Sequence, residues 1–150
     1  ISPLNGEKTL QFRIVNKSTS TLINMESAAT LTWLEREEGV YRRRFARLKL
    51  ELDFIYLFPL NWTLVHKINE NSPLHHKSIQ ELINQNGEIL IMIKGYDDTY
   101  DQHIYKNHSY HSSDIVENAI FNVMYESQTD KTILRLDKLN DYRLIDKVIE

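Results

Sequence analysis

Residues 48–54 alternate without a break: Leu48-Lys49-Leu50-Glu51-Leu52-Asp53-Phe54. A period of two sends successive side chains to opposite faces of an extended strand, here leucines to one face and charges to the other. This predicts a half-buried strand with Leu48, Leu50 and Leu52 in the core. A second alternation, Trp62, Leu64, His66 and Ile68 against Thr63, Val65 and Lys67, predicts another. The run Ile89-Leu90-Ile91-Met92-Ile93 is apolar at every position, the pattern of a central strand covered on both faces. Residues 9–15, 28–35, 103–105, 120–125 and 132–136 are further strand candidates.

Turn signals separate these runs: Asn5-Gly6, Glu38-Gly39, Asn71-Ser72-Pro73 and Asn86-Gly87. The four glycines are each expected at a turn. One helix is predicted, over residues 78–84, where Ser78 caps the N-terminus and Glu81 completes a capping box. Many short strands with one short helix imply an all-β, antiparallel β-sandwich. The 150 residues suit one domain, long enough to bury roughly 70% of the unfolded surface. The charged stretch 140–150 reads either as a loose tail or as a short helix.

A formal net charge of −3 lacks the basic footprint of a nucleic-acid binder. Without cysteine, disulfides, thiolate zinc sites and cysteine nucleophiles are excluded. The richest apolar stretch, residues 54–60, contains Pro59 and is far short of the ~20 residues that span a bilayer. The chain opens at Ile1 without an initiator methionine, which reads as a fragment or a processed product.

Six histidines invite a metal reading. On a strand, however, the adjacent His75 and His76 would point to opposite faces, and His108 and His111 have no acidic or cysteine partner at ligand spacing. No metal site and no cofactor are expected. There is no G-x-S-x-G elbow, H-E-x-x-H or phosphate-cradling glycine loop, so no catalytic residue is assigned. The carboxylates Asp97, Asp98 and Asp101 read as a solvated loop, and Arg42-Arg43-Arg44 as a charged strand start beside a turn. The sequons at Asn16, Asn61 and Asn107 read as chance.

The order of several blocks resembles a known family. Phe12-Arg13-Ile14-Val15-Asn16 is similar to the strand that opens the cytoplasmic domain of inward rectifier potassium channels. His66-Lys67-Ile68-Asn69-Glu70-Asn71-Ser72-Pro73-Leu74 resembles the family's H-x-I-D-E-x-S-P-L segment. Glu88-Ile89-Leu90-Ile91-Met92-Ile93-Lys94-Gly95 resembles its E-I-x-V-x-x-x-G strand. His108-Ser109-Tyr110 and Asp114-Ile115-Val116 follow in order. Glu38-Gly39, Arg43-Arg44-Phe45, Leu48-Lys49-Leu50 and Asn61-Trp62-Thr63 resemble the prokaryotic branch. The likeness spans about residues 1 to 126.

The resemblance implies an immunoglobulin-like (E-set) sandwich, assembled as a homotetramer around a vestibule for potassium ions. It implies attachment to the membrane through helices that this chain does not contain, and a place on the cytoplasmic face. Family vestibule positions fall on Asn24 and Lys94. The family's G-loop girdle falls on Asp98, Thr99, Tyr100, Asp101 and Gln102. Acids that attract polyamines and Mg²⁺ in strongly rectifying relatives are thus replaced at Asn24 and Lys94, which argues against strong rectification. Positions near lipid headgroups fall on Lys17, Ser18, Thr19 and Asn107. Anionic lipid is the implied partner there, although basic residues of many relatives become Ser18, Thr19 and Asn107. The rival readings are a free-standing immunoglobulin-like module that binds a protein or glycan, and an enzyme using Asp97, Asp98 and His103.

Overall fold

The computed structural model describes residues 1–146. Strands β1 (Ser2–Leu4), β2 (Glu7–Ile14), β3 (Leu22–Glu37) and β4 (Val40–Leu48) come first, then β5 (Phe54–Leu57) and β6 (Trp62–Lys67). Helix α1 (Ile79–Asn84) precedes β7 (Glu88–Asp97) and β8 (Gln102–His111). Four three-residue strands end the described chain: β9 (Ala119–Phe121), β10 (Tyr125–Ser127), β11 (Thr132–Leu134) and β12 (Tyr142–Leu144).

Two antiparallel sheets make a sandwich, as the alternation predicts. One runs β1-β2-β6; the other runs β4-β3-β7-β8, with β5 also paired to β3. Leu10, Phe12, Trp62 and Leu64 from the first meet Met25, Ala29, Leu31, Leu48, Ile89 and Ile91 from the second in one buried cluster. Two hairpins fix the register. At Asn5-Gly6 the φ angles are 52° and 81°, and at Glu38-Gly39 they are 49° and 83°. Each turn has positive φ at both central residues, as two-residue hairpins of matching twist require. The pairings Leu4↔Glu7 and Glu37↔Val40 close on them. Helix α1 carries the predicted capping box. The Ser78 hydroxyl accepts from the Glu81 N–H at 3.1 Å, and the Glu81 carboxylate accepts from the Ser78 N–H at 2.7 Å.

Several sequence expectations are corrected. The predicted strand 48–54 is not one strand, because the chain there crosses between sheets. Leu48 pairs with Ala29 in the large sheet, Leu50 bridges His66 in the small one, and Phe54 returns to Glu26. Leu48 and Leu50 are buried, but Leu52 lies past the crossing and is 54% exposed. The run 89–93 is central in its sheet yet covered on one face only, with Leu90 and Met92 exposed. Gly95 stands inside β7 instead of in a turn. A Cβ there would collide with the Met25 sulfur, so the core methionine occupies the space of the missing side chain. In the stretch 140–150, residues 142–144 form β12 against β9, neither tail nor helix, because Ala119–Phe121 offers it an edge to pair with. Residues 147–150 lie outside the described residues.

Candidate functional site

The β7–β8 connection is a four-residue loop, Asp98 to Asp101, closed by the pairing Asp97↔Gln102. Asp97 is buried, contrary to the solvated reading of the acidic cluster. One of its carboxylate oxygens accepts from the N–H groups of Thr99 at 3.0 Å and Tyr100 at 3.1 Å, and so organises the loop from below. Asp101 takes φ 52°, a left-handed turn position that Asp tolerates. Two contacts tie the loop to the residue before β3: the Asp98 N–H donates to the Thr21 carbonyl at 2.9 Å, and the Thr21 N–H donates to the Thr99 hydroxyl at 3.0 Å. Asp98, Thr99, Tyr100, Asp101 and Gln102 all remain exposed.

Asn24 sits beside this loop. It lies in a register shift of β3 between Ile23 and Glu26, with φ 49°, and its side chain is exposed. Lys94 stands directly across from Glu26 on the outward face of β7. Its ammonium lies 3.0 Å from the Glu26 carboxylate, and that hydrogen bond raises its pKa above the ordinary value. Lys94 therefore does not present a lone positive charge. Two segments far apart in sequence thus meet at one end of the large sheet: Thr21 to Glu26, and the β7–β8 hairpin from Lys94 through the 98–102 loop.

The other expected positions divide. Lys17, Ser18 and Thr19 form the exposed β2–β3 loop, where the Asn16 side chain accepts from the Ser18 N–H at 3.0 Å and donates to the Ser20 carbonyl at 2.8 Å. Asn107 is mid-strand on β8, opposite Met92, and no hydrogen bond or pairing joins it to that loop.

Two features were missed by reading the sequence. The outward face of the large sheet exposes Phe45, Leu90, Met92 and Tyr105, all large and apolar. The apolar run 89–93 is the signal, though a run apolar at every position predicts cover on both faces. Arg13 is 8% exposed, although alternation alone puts it on the wet face of β2. The histidines do not converge. His75 and His76 sit in a turn, not a strand, with rings packed edge to face at 4.4 Å. Among the described residues, no group of three or more His, Cys, Asp or Glu could hold a metal ion. The arginine run follows the Gly39 turn as read; Arg44 pairs with Glu35 at 2.8 Å and also with Glu37.

No helix of the described residues is long and apolar enough to cross a membrane. The family model described as the inward rectifier potassium channel C-terminal domain matches residues 1–148. The match continues past residue 126 through the four short terminal strands. Among curated proteins, the chain is similar to the inward rectifier potassium channel Kirbac3.1 of Paramagnetospirillum magnetotacticum. The identity is 27% over 143 residues, covering 94% of this chain and 48% of that protein. The chain spans about half the length of this relative. Because the family model covers the sandwich and the terminal strands almost end to end, this chain belongs to the inward rectifier potassium channel C-terminal domain family.

Proposed function

We propose that this chain is the cytoplasmic gating and ion-path domain of a potassium channel. In this reading it is an E-set member that forms a single domain at the cytoplasmic face of the membrane. Four copies close a ring, with Asn24, Lys94 and the 98–102 loop lining the vestibule. Asp98, Thr99, Tyr100, Asp101 and Gln102 form the G-loop constriction, and Asp101 carboxylates near the axis attract cations as acidic rings do. Anionic headgroups meet Lys17 and its neighbours. The chain's part is electrostatic and conformational, not chemical.

The observation that carries this reading is the meeting of residues 21–26 with the β7–β8 hairpin at one sheet end, beside an outer face left uncovered. An exposed face bearing Phe45, Leu90, Met92 and Tyr105 is the kind of surface that marks a protein contact. A ring needs a heterologous contact, in which this face meets a different surface of the next copy. Without membrane helices to raise local concentration, the contact is weak and concentration-dependent. Sedimentation over a wide concentration range tests it: reversible growth toward a tetramer is expected, and a two-fold dimer that persists at all concentrations would overturn the ring.

A further inference from the structure

Residues 118–146 form a strap at the edge of the sandwich. Its strands pair only among themselves, β9 with β12 and β10 with β11. Two-stranded pieces of this size have marginal stability of their own. Among its described residues Met124 alone is buried. At the root, the Ala119 N–H donates to the Ile1 carbonyl at 3.1 Å. Every other hydrogen bond between the strap and residues 1–117, among the described residues, comes from one side chain, Arg13.

That side chain spans the strap. Its Nε donates to the Leu139 carbonyl at 3.0 Å and its Nη1 to the Asn122 carbonyl. Its Nη2 donates to the carbonyls of Lys138 at 2.6 Å, Leu139 at 2.7 Å and Asp141 at 3.2 Å. The guanidinium also lies 4.3 Å over the Phe121 ring. A buried cation ordinarily takes a carboxylate partner. Among the described residues Arg13 makes no ion pair: its hydrogen bonds all go to neutral main-chain carbonyls, with the Phe121 ring and the more distant Asp141 charge helping to offset its burial. The fork is rigid, so its bonds form and break together. They hold the chain near residue 122 and near residue 139 at once, on both sides of the β10–β11 hairpin. Between strap and sandwich lies a cleft of about 250 Å³, lined by Leu10, Phe12, Tyr110, Ile115, Phe121 and Tyr142 among others.

We propose that Arg13 is the latch of a detachable strap. Residues 118–146 come away together about their Ala119 root when the guanidinium releases its carbonyls, and the freed two-stranded pairs, marginal on their own, then open; the cleft is uncovered while the sandwich stays folded. Neutral acceptors suit a latch: once released, the carbonyls and the guanidinium are all satisfied by water, and no carboxylate is stranded.

Native-state hydrogen exchange in low guanidinium chloride tests this on the unmodified chain. The strap amides of Asn122, Arg135 and Ile145 are expected to exchange at least about 100-fold faster than the amides of β3 and β7, with a denaturant dependence smaller than that of β3 and β7 but not zero, as for a sub-global opening. Arg13→Lys keeps the charge but loses the fork; it is expected to speed strap exchange a further ~10-fold and leave β3 and β7 unchanged. Phe121→Leu removes only the ring under the guanidinium and is expected to act in the same direction, more weakly. The proposal fails if strap and core amides share one protection level in the unmodified chain, or if Arg13→Lys leaves strap exchange as it was. Global unfolding of Arg13→Lys would make Arg13 a core element and overturn the latch equally.

Discussion

Strand β7 carries the same chemistry on its two faces and meets two different fates. Ile89 and Ile91 are 0% and 4% exposed, whereas Leu90 and Met92 are 38% and 47% exposed. All four are aliphatic or nearly so, and the strand is central in its sheet. What differs is the cover. Inward, Leu10, Phe12 and Leu64 of the small sheet close over the isoleucines. Outward, the neighbours are Thr30 and Ala28 on β3 and Ser109 and Asn107 on β8, which leave an open floor beside Phe45 and Tyr105. An apolar run on a central strand thus marks one face buried within the chain and one available to something else. The second is the face assigned above to the next copy.

The largest expected effect would break this comparison. Ile91→Asp buries an unpaired carboxylate and is expected to cost about 3–5 kcal/mol. At this chain length that lowers Tm by roughly 10 °C. Met92→Asp, one residue away, is expected to stay within about 0.5 kcal/mol of the unmodified chain under dilute conditions, as surface changes do. The same change should abolish concentration-dependent association. Equal melting losses for the two variants would mean that the outer face is already covered within a single chain.

A polar residue on an inner face sharpens the contrast. His66 is 3% exposed and belongs to the same row of β6 as Trp62 and Leu64. Its Nδ1 lies 2.8 Å from the Lys49 carbonyl, which can only accept, so this nitrogen carries the proton. Its Nε2, 2.8 Å from the Ser72 hydroxyl, then accepts. Burial lowers the His66 pKa below its ordinary value of 6.5, outweighing the Lys49 carbonyl and the nearby Glu51 charge, which pull it up. The folded chain therefore binds this proton less readily than the unfolded chain. The stabilisation is fully present above 6.5, falls as pH drops from there toward the folded-state pKa, and levels off below it. Melting the unmodified chain and His66→Gln between about pH 7.5 and 5.5 isolates the effect. The variant should have a shallower decline toward acid. A decline identical in both would remove His66 from the acid response.

Much of this was legible in the sequence where a strand has one wet face and one dry face. Residues 62–67 and the capped helix at 79–84 follow the pattern residue for residue. The pattern misled where its meaning changed. At 48–54 the alternation continues across a switch of sheets, and no periodicity distinguishes Leu50, paired with His66, from Leu52, exposed beyond it. At 89–93 an unbroken apolar run cannot say whether the second cover comes from this chain or from another. Gly95 reads as a turn residue because the sequence does not reveal that Met25 fills its side-chain space. The strap was least legible: its strands are three residues long, and Met124 alone gives it a buried anchor. Of the candidate site, the role of the loop at 98–102 rests on the resemblance and stands as a proposal. Asp97 as its internal brace and Glu26 as the partner of Lys94 depend on cross-strand register, which spacing alone does not give.

That partner makes the smallest effect on stability the most informative about the ion path. Lys94 and Glu26 are cross-strand neighbours on the outer face, with side chains 47% and 51% exposed, beside Asn24 and the 98–102 loop. Exposed pairs of this kind contribute little to folding, so Tm should scarcely respond to either residue. Their charges matter differently if four copies surround an aqueous path. A Lys94–Glu26 pair is neutral, so the ring carries no excess positive charge at this level. Lys94→Glu then changes the local charge by two units per copy and sets two carboxylates across from one another. Glu26→Gln instead leaves the ammonium bare. At about 0.15 M salt the Debye length is about 8 Å, so in a narrow vestibule the change is weakened but not erased. On the proposed function, the measurement is block by spermine from the cytoplasmic side, in planar bilayers holding a channel assembled with this domain. Lys94→Glu should strengthen voltage-dependent block and Glu26→Gln should weaken it, opposite shifts from two residues that share one ion pair. If both variants block as the unmodified channel does, the pair faces away from the ions, and this end of the outer sheet is ordinary solvated surface.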